Sequence, residues 1–304
     1  MTDVLRLGTR RSSLARTQSE WVAAAVRAAT GRAVELVEVT TRGDTSSAPF
    51  AQIGGTGVFV SALRDALLDG RVDLAVHSLK DLPTADAEGL LLAAVPARED
   101  PRDVLVARDG LLLDALPAGA RVGTGSPRRA ALLRAARPDL DVVDTRGNVD
   151  TRLARVADGT LDAVVLARAG LLRLGRAGEA TQVLDTDLVL PAPGQGALAV
   201  ECRADDDATA QACRALDDVA SRACVTAERA LLAALEAGCT APVGALAEVH
   251  GHVLGLRAVV AAHDGSRVLR RTATGTPDHA VDLGLALAAE LLADGAADLV
   301  TAHP

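Results

Sequence analysis

The sequence predicts an α/β protein: two doubly wound lobes around a ligand cleft, followed by a C-terminal α+β domain with an antiparallel sheet. Three observations predict it. Over the first two-thirds, short β-branched runs alternate with amphipathic helical stretches. Two Pro-bearing segments, "PAREDPRD" (96–103) and "LPAPGQGA" (190–197), interrupt the alternation. From about residue 216 it gives way to strands joined by short Gly-bearing turns.

Each element follows from its own stretch. The first lobe draws its strands from "VLRLGT" (4–9), "VELVEVTT" (34–41), "VDLAVHS" (72–78) and "LLLAAV" (90–95). The second draws on "DVLVA" (103–107), "RVGTG" (121–125), "DVVDT" (141–145) and "AVVLA" (163–167). Helical stretches between them predict parallel sheets covered by helices. A chain that crosses at 96–103 and returns at 190–197 into "LAVECR" builds one lobe from 1–96 with 197–215 and another from 97–196. In 216–304, "VGALAEV", "HVLGLRAVVAA" and "RVLRRTATG" predict an antiparallel meander. The helix "ACVTAERALLAALEAG" and a last helix near 278–293 flank it.

Composition narrows the function. One Trp, two Phe and no Tyr leave no aromatic platform for stacking bases, and a net charge of −8 disfavours a broad phosphate-binding face. Nucleic acid is therefore not an expected partner. "MTDVLRLGTR" lacks a basic-then-apolar leader pattern, and no apolar run reaches membrane-spanning length, so a cytoplasmic protein without a membrane partner is expected. Cys202, Cys213, Cys224 and Cys239 form no CxxC pair and read as free thiols; no metal site is expected. Residues 121–176 hold eleven arginines against six aspartates and no glutamate, a cationic middle in an acidic chain. That pattern points to a localised site for a small anion, with a solvated, ion-paired helix face as the plain alternative.

Three strand-to-helix junctions share one design. Arg10 and Ser12 stand just before a helix; Ser126 is an N-cap candidate after Thr124, with Pro127, Arg128 and Arg129 in the first turn; Arg146 precedes the Asn148 cap, with Arg152 one turn on. Arginine in a first helical turn opposes the helix dipole, a conflict that an incoming anion would resolve. "HSLKD" (77–81) ends a strand and contains the only lysine of the chain, Lys80, beside Asp81. Such a pair can anchor an anion and stabilise a cation in one place; a surface ion pair is the alternative. Cys239, in "EAGCTAPVG", starts a loop after a helix-ending Gly and is the thiol placed for chemistry, whereas the other three read as buried. "TRGDTSSAPFAQIGGTG" (41–57) reads as a lid or a linker. "GQGALA" precedes a strand and is not a dinucleotide motif.

Taken in order, "HSLKDLPT", "REDPRDVLV", "GTGSPRRAALL", "TRGNVDTRL", "PAPGQGALAVECR" and "VTAERALLAALEAGCTAPVGA" closely resemble the porphobilinogen deaminases (hydroxymethylbilane synthases). The resemblance spans essentially the whole chain. It implies two periplasmic-binding-protein-like lobes and a third domain whose Cys239 carries a covalent dipyrromethane cofactor through a thioether. It implies a monomeric transferase that joins four porphobilinogen molecules head to tail, releases four ammonia molecules and frees hydroxymethylbilane by hydrolysis, in tetrapyrrole (haem) biosynthesis. Asp81 matches the family's catalytic aspartate. Arg10, Arg128, Arg129, Arg146, Arg152 and Arg173 match positions that bind acetate and propionate groups, Ser12, Thr124 and Ser126 add hydrogen bonds, and Lys80 binds cofactor carboxylate. Phe59 matches a residue near the cofactor and Gln195 the hinge between lobes. Gly125, Pro127 and Thr56 depart from the usual serine, leucine and lysine. A non-catalytic two-lobed polycarboxylate-binding protein and a Cys239 acyl transferase or hydrolase are the rival readings; no His–Asp pair is placed to activate the thiol in the latter.

Overall fold

The computed structural model describes residues 4–39, 57–237 and 241–301. The chain opens with β1 (Leu5–Thr9), α1 (Ser13–Thr30), β2 (Val34–Glu38), α2 (Gly57–Leu68), β3 (Leu74–Ser78) and β4 (Leu90–Ala94). It continues with β5 (Asp103–Ala107), β6 (Arg121–Gly123), α3 (Pro127–Ala136), β7 (Asp141–Val143), α4 (Val149–Ala157), β8 (Ala163–Ala167), α5 (Arg168–Arg173) and β9 (Gln182–Val183). Then come β10 (Leu198–Arg203), α6 (Asp207–Arg214), α7 (Val219–Ala234), β11 (Val243–His250), β12 (Val253–Ala261), β13 (Val268–Gly275), α8 (Ala280–Ala293) and α9 (Ala296–Thr301). The lid or linker at 41–57 falls outside the described residues except for Gly57, and so do Thr56 and Cys239. The chain divides into two compact units, Met1–Glu99 with Ala197–Arg222, and Asp100–Gly196 with Ala223–Pro304.

In the first unit a five-stranded sheet runs β2-β1-β3-β10-β4. β1 pairs parallel with β2 and β3, because helical stretches return the chain to the same edge. β10 pairs antiparallel with both β3 and β4. The parallel sheet expected from sequence is thus a mixed one. Strand β10 arrives from the second unit without a helix that would turn it round, so it enters head-down between two parallel neighbours. Helices α1 and α6 bury Val22, Val26 and Ala210 on one face, over Leu5, Leu7, Leu74 and Val200. Helix α2 covers the other face with Leu63, Ala66 and Leu67 over Val72 and Ala75. Helices on both faces make the lobe doubly wound.

The second unit repeats the plan with a sheet of order β7-β6-β8-β5-β9. Here β5, the strand entered on crossing over, is the antiparallel one, paired with β8 and β9. Helix α3 packs Ala131, Leu132 and Leu133 on one face, and α4 sets Leu153 and Val156 against the other. β9 was not foreseen, since two residues are too short to show a period.

The last strands form the expected meander β11-β12-β13, antiparallel throughout. Helices α7 and α8 bury Leu231, Leu287 and Leu291 against Ala245, Leu254 and Leu256 on one face of it. Leu246, Val259 and Ala261 join the cluster of Leu132, Leu133 and Leu190, so the meander shares a core with the second lobe. Full burial of each Leu or Val side chain there is worth about 1.5–3 kcal/mol. Gly244 permits the contact: a Cβ there would lie 2.8 Å from the Leu190 carbonyl oxygen and 3.1 Å from that of Pro191. The Ala245 N–H then donates to the Pro191 carbonyl at 2.9 Å.

Candidate functional site

In the first unit β1 and β3 are parallel, so the residues following them share one edge of the sheet, where α/β proteins bind ligands. Ser12 caps α1, its Oγ accepting from the Ala15 N–H at 3.3 Å. Arg10 stands partly buried beside it. β3 runs into a 3-10 turn, Leu79–Asp81. Buried Leu79 anchors that turn, and its N–H donates to the Ala197 carbonyl at 3.0 Å. The start of the return strand therefore fixes the turn that presents partly buried Lys80 and exposed Asp81.

Behind the turn lies a charge cluster that sequence reasoning missed. Buried His77 and Glu201 approach to 3.1 Å, and Arg64 of α2 grips both oxygens of Glu201 at 2.7 and 3.1 Å. Burial pushes the Glu201 carboxyl up, but hydrogen bonds from His77 and Arg64 outweigh it and hold it at about 2.

In the second unit the loops after β6, β7 and β8 share the corresponding edge. Thr124 is buried, and its Oγ1 accepts from the Ser126 N–H at 3.2 Å. Ser126 caps α3 by accepting from the Arg129 N–H, and Asn148 caps α4 by accepting from the Thr151 N–H at 2.8 Å. Gly125 matters for shape: a Cβ there would meet the Thr145 carbonyl oxygen at 2.8 Å, so the loop after β6 lies against the loop after β7 more closely than a serine allows. Arg146 is exposed and pairs with Asp144 at 3.0 Å. Arg152 is partly buried, and the Arg173 Nη2 donates to the Gly196 carbonyl at 2.6 Å.

Arg128 and Arg129 are 3% and 5% exposed, which no solvated helix face would give. Antiparallel β5 begins on this edge and brings in Asp103, which is 0% exposed. Arg128 Nη2 lies 2.9 Å and Arg129 Nη2 2.7 Å from its carboxylate. Gln195 Nε2 donates to Asp103 Oδ1 at 2.8 Å and to the Pro101 carbonyl at 2.7 Å. Burial pushes the Asp103 carboxyl up, yet the two guanidinium groups outweigh it and hold it well below the usual carboxylate range. The conflict between these arginines and the helix dipole is therefore met in part from within the chain. Two buried cations share one buried anion, so the three groups together carry a surplus positive charge. Residues with that surplus fit a group as rich in carboxylates as dipyrromethane.

Among the remaining predicted residues, Phe59 has its backbone in α2. Cys202, Cys213 and Cys224 are buried, as expected. Burial pushes the Cys202 and Cys213 thiols up to about 11 and about 12, which keeps them unreactive. Among the described residues no group of three or more His, Cys, Asp or Glu could hold a metal ion. No described helix is long and apolar enough to cross a membrane.

Residues 5–211 match the family model "Porphobilinogen deaminase, dipyromethane cofactor binding domain", and residues 222–293 match "Porphobilinogen deaminase, C-terminal domain". The chain belongs to the porphobilinogen deaminase family. It is 62% identical to porphobilinogen deaminase 1 of Streptomyces coelicolor, over 97% of each chain. The porphobilinogen deaminase of Nocardia farcinica is 60% identical over 97% of this chain and 88% of its own, and that of Thermobifida fusca 58% over 98% and 96%. As the family's cofactor-binding region, 5–211 contains both sheet edges that carry the arginines and the Lys80–Asp81 turn.

Proposed function

We infer that the chain is a hydroxymethylbilane synthase, a transferase of tetrapyrrole biosynthesis that joins four porphobilinogen molecules head to tail, with loss of four ammonia molecules and hydrolytic release of the product. The match of both family regions along one chain carries this reading. The residue roles are proposals, and so is the division into three domains at 1–96 with 197–215, 97–196 and 216–304. A binding-only protein is not favoured, because relatives at 58–62% identity carry the enzyme's name.

Dipyrromethane, when bound, supplies the pyrrole carbon to which the first substrate is joined. Every pyrrole unit brings an acetate and a propionate, so the chain must hold a growing polyanion. Arg10, Arg146, Arg152 and Arg173 are the proposed partners of those groups, with bidentate guanidinium forks suited to carboxylates. Arg128 and Arg129 contribute the surplus charge left by Asp103, and Ser12, Thr124 and Ser126 hydroxyls and cap N–H groups supply hydrogen bonds. Lys80 binds cofactor carboxylate as a compact ammonium.

Loss of ammonia leaves the substrate cationic at its exocyclic methylene. Asp81 is the proposed counter-charge: its carboxylate accepts pyrrole N–H hydrogen bonds and stabilises the cation as it forms, and it assists the two proton transfers, one proton leaving with ammonia and one released from the attacking ring carbon as the new bond forms. A fixed position matters here, and the buried Leu79 anchor of the turn provides it. Cys239 is the proposed attachment residue, its sulfur forming a thioether to an exocyclic methylene carbon. The reading takes the protein as cytoplasmic and as a monomer; light scattering of the purified protein tests the monomer.

Intact-protein mass spectrometry decides the assignment. The purified protein should exceed its sequence mass by two porphobilinogen units less two ammonia molecules, and Cys239→Ser should lose the addition. An unmodified protein with full activity would overturn it.

A further inference from the structure

We propose that Glu228 is a positioning residue: through the segment 190–196 it keeps Arg128, Arg129 and Arg173 in register with the domain that bears Cys239. This inference rests on the synthase reading above. The segment is gripped alternately from two sides. The Leu190 carbonyl accepts from Arg128 Nη1 at 2.5 Å and the Gly196 carbonyl from Arg173 Nη2 at 2.6 Å. Between them, Gln195 holds Asp103, the carboxylate shared by Arg128 and Arg129. On the other side the Pro191 carbonyl accepts from Ala245 N–H of β11, and the Gly194 N–H donates to Glu228 Oε2 of α7 at 2.7 Å. The second oxygen of Glu228 accepts from the Ala247 N–H of β11 at 2.8 Å.

Glu228 is 0% exposed, although glutamate is among the residues least often fully buried. Its carboxylate is matched to two backbone donors, and the N–H groups it accepts lie 34 and 19 positions away in sequence. An isosteric amide could accept from only one of them and would turn its own N–H groups on the other, donor against donor. Helix α7 ends at Ala234 and β11 begins at Val243, so the two elements that Glu228 joins are those flanking Cys239 in the chain. The next residue after Gly194 is Gln195, so a displacement at the Glu228 end passes directly to Asp103 and its two arginines. These guanidinium groups must receive a chain that lengthens by one ring at each cycle, and their spacing relative to the tether decides how far it can grow.

The test is Glu228→Gln, read three ways. Amide hydrogen exchange should quicken at Gly194 and Ala247. Intact mass should still show the cofactor addition. Turnover should fall about tenfold, the rate equivalent of one lost hydrogen bond to a charged group, with partly elongated chains accumulating on the enzyme. Gln195→Ala, which leaves Glu228 in place and cuts the next link, should stall in the same pattern, and the double variant should stall no further than the worse single one. The inference falls if either single variant elongates like the parent, if the two losses multiply, or if the rate loss merely tracks the fraction unfolded. A parent protein without the cofactor mass would instead overturn the synthase reading itself, and the two failures are distinct.

Discussion

A lysine used once in 304 residues stands beside the exposed carboxylate at the end of β3. Exposure suits Asp81 to meet a substrate cation, while the packed Leu79 beneath it prevents the turn from yielding. Asp81→Asn keeps the shape and removes the charge, so turnover should fall by about 10²–10³ while the melting temperature holds; ammonia release at the parent rate would remove Asp81 from the chemistry. Arg146 is exposed and pairs with exposed Asp144 on the loop, a contact of little worth in water. Arg146→Ala should leave folding unchanged and give a ladder of enzyme-bound masses stopped short of full length, and an unchanged ladder would refute its role. At this scale the Ser126 and Asn148 caps were legible, because each acts on a backbone N–H three positions on, and Ser12, read only as preceding a helix, does the same. Asp103 was not. It stands 26 positions from Arg129, and only the antiparallel placement of β5 brings them together.

Among the elements, most strands and helices were legible by period, down to the meander and the helix Ala280–Ala293, whereas β9, α5, α6 and α9 were not. Strand directions were not legible either: alternation records which face a residue occupies and says nothing about which way a strand runs. Both surprises, β5 and β10, are the strands that begin just after a crossover. The loop after β6 carries an expectation of its own. Gly125→Ser would restore the residue usual in the family, yet its Cβ would press on the Thr145 carbonyl oxygen at 2.8 Å and lift the Ser126 cap from α3. Loss of that cap is worth about 1 kcal/mol. Urea unfolding should show Gly125→Ser less stable by at least that amount, and equal stability would mean that the loop relaxes freely.

Across the whole molecule, buried carboxylates set the response to acid. Glu201 is held at about 2, against 4.5 when unperturbed, and Asp103 is lowered in the same direction. A depressed carboxylate contributes stability that is fully present above its unfolded value and is lost as pH falls through the folded one. The melting temperature should therefore hold down to about pH 5, where both states are ionised, and drop steadily between about pH 4.5 and 2. A flat profile across that interval would contradict the buried pairs. Asp103→Ala, which strands two cations, should cost about 3–5 kcal/mol in denaturant unfolding.

The position of β10 has a consequence for the order in which the protein is made. The first sheet lacks its fourth strand, between β3 and β4, until Leu198–Arg203 has been synthesised, and by then the whole of 97–196 has been made. A nascent chain must therefore carry an open slot in its first lobe while the second one folds, exposing two unsatisfied strand edges to whatever else is nearby. Chains that end before residue 198 should be the ones that chaperones retain and proteases clear.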